Sequence, residues 1–248
     1  MPGIYVMKTK YFSQGFTLIE MAMVIFILGL MMTSFLEPLA SRVEEEERNK
    51  TQIQLDEIEE VLYGYVLRNN TLPCPDCTAT TVAGCAAATA GDGIADQTVP
   101  GTCDTEFGNL PWADLGVKGT DQWDNEFTYR VDNVFADNTD GTGCAASASL
   151  NVSFSLCSDG DIEIFSSDVA ADAGAVGDLA TGIPAVVVSH GKNWASATSD
   201  DEGQNTDDDN EFVDKDYSQT VGAEYDDMLI WISPHILKTM SVKAGMLP

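Results

Sequence analysis

"SQGFTLIEMAMVIFILGLMM", Ser13 to Met32, is the stretch on which the reading of this chain turns. From Phe16 to Leu36 the residues are almost wholly apolar, and Glu20 is the one charged side chain among them. That is about the ~20 residues a ~30 Å hydrocarbon core requires of a spanning helix. A charged carboxylate in hydrocarbon costs roughly 2.5–3.5 kcal/mol even on insertion scales, so Glu20 calls for a partner. The order of features matters as much as the composition. A secretory signal peptide carries a small-residue cleavage site after its apolar region, and no such site stands before Pro38. Here the small residue, Gly15, precedes the apolar run, and a cut at Gly15-Phe16 leaves the apolar helix on the mature chain.

The flanks give an orientation. Lys8 and Lys10 precede the run, no Lys or Arg occurs from Tyr11 to Ser41, and acids dominate afterwards. Basic residues before a span predict a cytoplasmic N-terminus with the bulk of the chain outside. Over all 248 residues, 40 Asp+Glu stand against 12 Lys+Arg, a net charge of −28. Such a surface repels phosphate backbones and excludes a nucleic-acid partner.

Beyond Pro38, which is expected to kink the helix, good helix formers resume through "LASRVEEEERNKTQIQLDEIEEVLYGYVLRN". Leu55, Ile58, Leu62 and Tyr65 fall on one helical face, so the rear half is amphipathic and packs on something. One long helix is predicted from Thr17 to Arg68. After Asn70 the texture becomes Gly-, Ala-, Thr- and Cys-rich. Strand-like alternation then marks 126–131, 150–156, 161–166, 185–190 and 227–233. The segment "SATSDDEGQNTDDDNEFVDKDYS" reads as a polar surface loop, and "PHILKTMSVKAGMLP" as a short final helix.

Six cysteines, Cys74, Cys77, Cys85, Cys103, Cys144 and Cys157, are an even number in a chain that leaves the cytoplasm. They read as disulfides, for which fifteen pairings exist. Cys144 and Cys157 flank an alternating stretch and are expected to close one hairpin. The Cys74–Cys77 spacing also suits redox or zinc sites, but neither His190 nor His235 sits in a zinc half-site. Ser189 and His190 are adjacent and so point to opposite faces of a strand, which speaks against a nucleophile–base pair. No nucleotide-binding or hydrolase motif appears, and the chain is not expected to be an enzyme. Trp112, Trp123 and Trp231 read as core residues, and Trp194 as exposed. "GDGIAD" (91–96) and the acidic segment Asp200 to Asp216 offer oxygen ligands for calcium, with Asp207, Asp208, Asp209 and Asp214 as the candidate set.

"GFTLIEMAMVIFILGLM" resembles the start of type IV pilin-like proteins, the pilins and the pseudopilins of type II secretion. Gly15 stands just before the cut, Phe16 becomes the new N-terminal residue, and Glu20 lies five places after the glycine. The match covers the first third of the chain. More weakly, "LPCPD", "LPWADLGV", "DQWDNEFTYRV", "VVVSHGKN" and "DDMLIWISPHIL" look like segments of large minor-pilin-like proteins. The resemblance implies that a prepilin peptidase cleaves after Gly15 and methylates Phe16, and that Glu20 pairs with the Phe16 amine during assembly with other subunits. It also raises the case for calcium in the β domain, which some pseudopilins hold.

The chain is therefore expected to be α+β: a leader at 1–15 that is cleaved; a helix at 16–68 whose part 16–36 is transmembrane and later filament core; and an extracytoplasmic β-rich domain at 69–248, an antiparallel sheet braced by disulfides with large loops. The expected role is a minor, tip-located subunit of a type IV pilus or pilus-like filament, held in the inner membrane with its C-terminal domain in the periplasm before assembly. A type II secretion pseudopilin and a membrane-tethered adhesin that never polymerises are the alternatives.

Overall fold

The computed structural model describes residues 15, 17–78, 85, 90–137, 153–168, 177–194 and 199–247, with the side chains of 33–40 excepted. The protein is α+β. Helix α1, Leu18–Asn69, is its longest element. The chain divides into two compact units, Met1–Glu46 and Glu47–Pro248.

In the first unit, the described apolar side chains of α1 run from Leu18 to Met32, and all the large ones are exposed. Among the described residues no helix is long and apolar enough to cross a membrane.

The second unit is built on the rear face of α1. Thr51, Leu55, Ile58, Leu62 and Val66 are fully buried, at the three- and four-residue spacing that lines one side of a helix. Tyr65, predicted on that face, is only partly buried and packs at the edge of the same core. The face packs with residues of a four-stranded antiparallel sheet of β1 (Phe107–Asn109), β2 (Thr128–Val131), β5 (Ala185–Ser189) and β9 (Met228–Trp231), in the order β1-β2-β5-β9. The strand β5 is buried at every position. Ala185 and Val187 join the core with α1, while Val186 and Val188 join a second core with Ile162, Ile164 and Phe212. An unbroken apolar run is what a strand covered on both faces needs.

The second core is closed by β4 (Ala180–Ile183), β3 (Ile162–Phe165) and β6 (Glu211–Val213), in the order β4-β3-β6. The expected antiparallel pairing holds for the four-stranded sheet and for β3 with β4, while β3 and β6 run parallel with Ile164 opposite Phe212. The reading of the acidic segment as a polar surface loop is corrected. The segment holds a helical turn, Asp200–Gln204, and then β6, whose Phe212 and Val213 are buried. Asn205 makes this possible. Its side chain donates to the Val213 carbonyl at 3.0 Å and accepts from the Val213 N–H at 2.8 Å, standing in for a strand neighbour. Strands β7 (Ser218–Thr220) and β8 (Ala223–Tyr225) form a separate hairpin.

Three further helices are short: α2 (Trp112–Leu115), α3 (Asn133–Ala136) and α4, the turn Asp200–Gln204. The predicted final helix is α5, Pro234–Lys243, with proline in its first turn and Ser233 as N-cap. Of the predicted strand 150–156, the described part, 153–156, is not a strand. Phe154 is nevertheless buried, and the Ser153 hydroxyl donates to the Val134 and Asp137 carbonyls, so this stretch packs as irregular backbone. Trp112, Trp123 and Trp231 are partly buried rather than deep core, and Trp194 is exposed.

Two disulfides join Cys74 to Cys103 and Cys77 to Cys85. Cys157 is also disulfide-bonded, and Cys144 lies outside the described residues. The "GDGIAD" turn is fastened inside this cysteine-rich stretch. The buried Asp76 carboxylate accepts from the Gly91 and Gly93 N–H groups, and Asp96 accepts from the Cys77 N–H. Gly93 is required at its place: its φ is +79°, and an added Cβ would sit 2.3 Å from the Trp112 ring.

Candidate functional site

Two places in the chain carry groups whose chemistry goes beyond packing. The first is the start of α1. Gly15 is exposed and outside the helix; Phe16 lies outside the described residues. Thr17 and Glu20 form a reciprocal cap. The Thr17 N–H and hydroxyl both donate to Glu20 Oε2 at 3.0 Å, and the Glu20 N–H donates back to Thr17 Oγ1 at 3.3 Å. The sequence Thr17-Leu-Ile-Glu20 is the Thr-x-x-Glu signature of a capping box. The signature is local and therefore present in the sequence itself. The cap accounts for the helix beginning at Leu18, and it gives Glu20 a partner within its own chain.

The second place lies where β5 ends beside the start of β9. Ser189 pairs with Met228 across these antiparallel strands, so the residues just after β5 meet those just before β9. There the backbone of the "SHGKN" turn wraps the Asp226 side chain. Asp226 Oδ2 accepts from the Lys192 and Asn193 N–H groups at 2.9 and 3.3 Å. Gly191, at φ +61°, permits the wrap, since a Cβ there would come 2.6 Å from Asp226 Cγ. The cluster is completed by Asp227 and by Glu202 of α4, and the three residues offer carboxylate oxygens all within 4.8 Å of one another.

These acids are only partly compensated. Glu202 accepts from Asn193 Nδ2 and the Asp226 N–H, and Asp227 Oδ2 accepts from Asn205 Nδ2 at 2.8 Å. Glu202 and Asp227 are 1% and 4% exposed. Asp226 Oδ1 is shut off from solvent and has no hydrogen-bond partner. His190, itself buried, has Nε2 2.7 Å from Thr128 Oγ1, while its unpartnered Nδ1 stands 3.8 Å from Asp227 Oδ1. Burial first of all, joined by the charges of Glu202 and Asp227 and opposed by the Lys192 and Asn193 N–H donors, pushes the Asp226 carboxyl up to about 6. Three crowded oxygens of this kind are a hard donor set that suits a cation such as calcium.

The four aspartates singled out from the sequence are not gathered in this way. Asp208 faces Arg130, with Oδ1 3.5 Å from Nη1. Asp209 accepts from Gln204 Nε2 and the Glu211 N–H. Asp207 accepts from the Asp209 N–H, and its carboxyl is raised by burial and then by the charge of Asp209. Asp214 is raised by burial and by Asp216. Ser189 and His190 also part company: the serine hydroxyl donates to the buried Asp121 at 2.8 Å, and the imidazole meets Thr128. The exposed Trp194 stacks on His190 with ring centroids 5.0 Å apart. The cluster of Glu202, Asp226 and Asp227 is not legible in the sequence, because Glu202 of α4 meets Asp226 only through tertiary contacts, the Asp226 N–H and Asn193 Nδ2 both donating to its carboxylate. No known family, no curated protein and no solved structure matches this chain.

Proposed function

We propose that this chain is a structural subunit, minor and tip-located, of a type IV pilus or pilus-like filament. It is made as a precursor in the inner membrane and crosses it once, through 16–36, with the C-terminal domain in the periplasm. A prepilin peptidase cuts between Gly15 and Phe16, and the apolar helix then passes from lipid into a bundle with other pilin or pseudopilin subunits. One observation carries the reading: an exposed glycine stands three residues before a capped helix whose described apolar residues are all exposed up to Met32, with one acid among them. So much uncovered apolar surface needs lipid or neighbouring helices around it.

Mass spectrometry of the mature protein tests this directly. The expected N-terminus is Phe16 bearing a methyl group. Retention of Lys8 and Lys10 sinks the processing step. Cysteines introduced along 16–36 are expected to crosslink into ladders, whereas a tethered monomer gives none.

A second reading concerns a cofactor and rests on Asp226. We infer that Glu202, Asp226 and Asp227 hold calcium, which offsets the mutual repulsion of buried carboxylates and takes the lone pairs of Asp226 Oδ1. Thermal melting with millimolar calcium against chelator tests it, with a higher midpoint expected in calcium. An unchanged midpoint removes the site.

A further inference from the structure

We infer that the cavity between the approach to β1 and the start of α3 binds a neutral polyhydroxyl ligand, a sugar, whether or not the chain enters a filament. The cavity measures about 470 Å³, and its lining side chains are polar apart from Cys103. That volume falls within the roughly 300–1,000 Å³ of small-molecule sites. Arg130 of β2 is the one buried residue in its wall, 6% exposed. Its guanidinium is loosely held. Nη2 donates to Glu106 Oε2 at 3.3 Å, and Nη1 donates to the Asp208 carbonyl at 3.4 Å, with Asp208 Oδ1 at 3.5 Å. All three exceed the roughly 2.7–3.2 Å usual for N–H···O bonds. Arg130 Nε and Asn133 Oδ1, both shut off from bulk solvent, have no hydrogen-bond partner among the described residues. Asn133 Nδ2, by contrast, donates to Glu106 Oε1. Buried donors and acceptors left unmade are costly to a fold, and a ligand that supplies their partners recovers that cost.

Charge selects the class of ligand. Against one guanidinium the wall carries Asp104, Glu106 and Asp208, so an anion is repelled. A simple cation meets the guanidinium itself. The unmet groups are one N–H donor and one carbonyl acceptor, and a hydroxyl both accepts and donates. Adjacent hydroxyls on one small rigid ring, as a sugar carries, answer both and offer further protons to the carboxylates of Glu106 and Asp208. The wall is also built beforehand. Arg130 lies opposite Phe107 and Val186 in the sheet, and the Glu106 carbonyl accepts from the Val131 N–H at 2.9 Å. Asp104 accepts from the Thr98 N–H and hydroxyl. Cys103 is bridged to Cys74, and its N–H donates to Asp137. Groups fixed before binding lose less entropy when a ligand arrives.

NMR of the full-length protein in micelles of a sugar-free detergent tests the site, with the Arg130 Nε–H resonance as reporter. The probes are the methyl glycosides of glucose, galactose and N-acetylglucosamine. The controls are tetrahydropyran, which keeps the ring without hydroxyls, and glycine, acetate and calcium chloride. A saturable shift of the Nε–H resonance is expected with at least one glycoside at millimolar concentrations. None is expected with tetrahydropyran, because a site made for hydroxyls rejects the analogue lacking them. Arg130→Lys keeps the positive charge and removes Nε–H, and Asn133→Ala removes the acceptor. Each is expected to raise the dissociation constant about tenfold, read by saturation transfer to the glycoside's own signals. Asp208→Ala, at a side chain 77% exposed and so harmless to folding, is expected to raise it several-fold. No saturable shift with any glycoside overturns the site, as does unchanged affinity in Asp208→Ala and Asn133→Ala. A saturable shift with glycine, acetate or calcium but with no glycoside also overturns it, and identifies a zwitterion, an anion or a cation as the occupant.

Discussion

At the scale of single residues, Asp226 is a position where the fold is at odds with its own charge. Its carboxyl is pushed from an ordinary 3.8 up to about 6, first by burial. A raised carboxyl means the folded chain binds that proton more tightly than the unfolded chain. The charged form therefore opposes folding fully above about 6, and the opposition fades as pH falls toward 3.8. Asp226→Asn removes the charge and supplies an amide that can donate to the neighbouring Glu202 and Asp227. In chelator at pH 7.5 the variant is expected to melt above the wild type, and at pH 4 the two midpoints are expected to converge. A variant that melts lower at both values would contradict the repulsion account. Two of the three segments that build this site stood out in the chain, as "VVVSHGKN" and "DDMLIWIS"; the third, around Glu202, stood out only as part of an acidic run. What could not be read there was that Ser189 lies opposite Met228, because strand register is a property of pairing across 39 residues and not of either segment. The cap at Thr17 and Glu20 is the reverse case. It is local, three residues apart, and so was wholly present in the sequence.

At the scale of elements, the two faces of α1's rear half make a controlled comparison. Leu62 is 0% exposed and Ile53 is 65% exposed on the same helix. Leu62→Ala is expected to cost about 2–5 kcal/mol in denaturant unfolding, through lost transfer energy and the cavity left behind. Ile53→Ala is expected to stay within about 0.5 kcal/mol. Equal effects would mean that the helix does not present this face to the core. The face was legible because a helix writes its burial into its own spacing. Strand β5 was legible for the same reason, as a continuous apolar run. Strand β6 was not. Its Phe212 and Val213 are embedded among acids, and what orders them is pairing with β3 on one side and the side chain of Asn205 acting as a further neighbour. Asn205→Ala leaves the Val213 N–H and Asp227 Oδ2 short of partners in a buried setting, at roughly 1–3 kcal/mol for each orphaned group. A fall in unfolding free energy of at least about 2 kcal/mol is expected, and a neutral variant would show that β6 holds its place without Asn205.

At the scale of the whole molecule, chain closure and charge decide stability together. The bridge from Cys74 to Cys103 joins positions 29 apart in sequence and that from Cys77 to Cys85 joins positions 8 apart. On the loop-closure model these are worth about 3.6 and 2.5 kcal/mol, through a restricted unfolded chain. Against them works a net charge of −28, which repels itself in the compact state more than in the expanded one. Salt relieves that repulsion without a site, as the screening length falls from about 10 Å at 0.1 M to about 3 Å at 1 M. Bound calcium relieves it at one place and saturates: at a hundred times its Kd it adds about 2.7 kcal/mol. The two are separable by experiment. Sodium chloride is expected to raise the melting point of wild type and Asp226→Asn alike, gradually and without a plateau below 1 M. Calcium is expected to raise the wild type along a saturating curve, by roughly 5–10 °C for a domain of this size, and to move Asp226→Asn only as far as its ionic strength accounts for. If calcium shifts both proteins equally, it acts by screening a crowded acidic surface, and the buried carboxylates of Glu202, Asp226 and Asp227 are held by their hydrogen bonds alone.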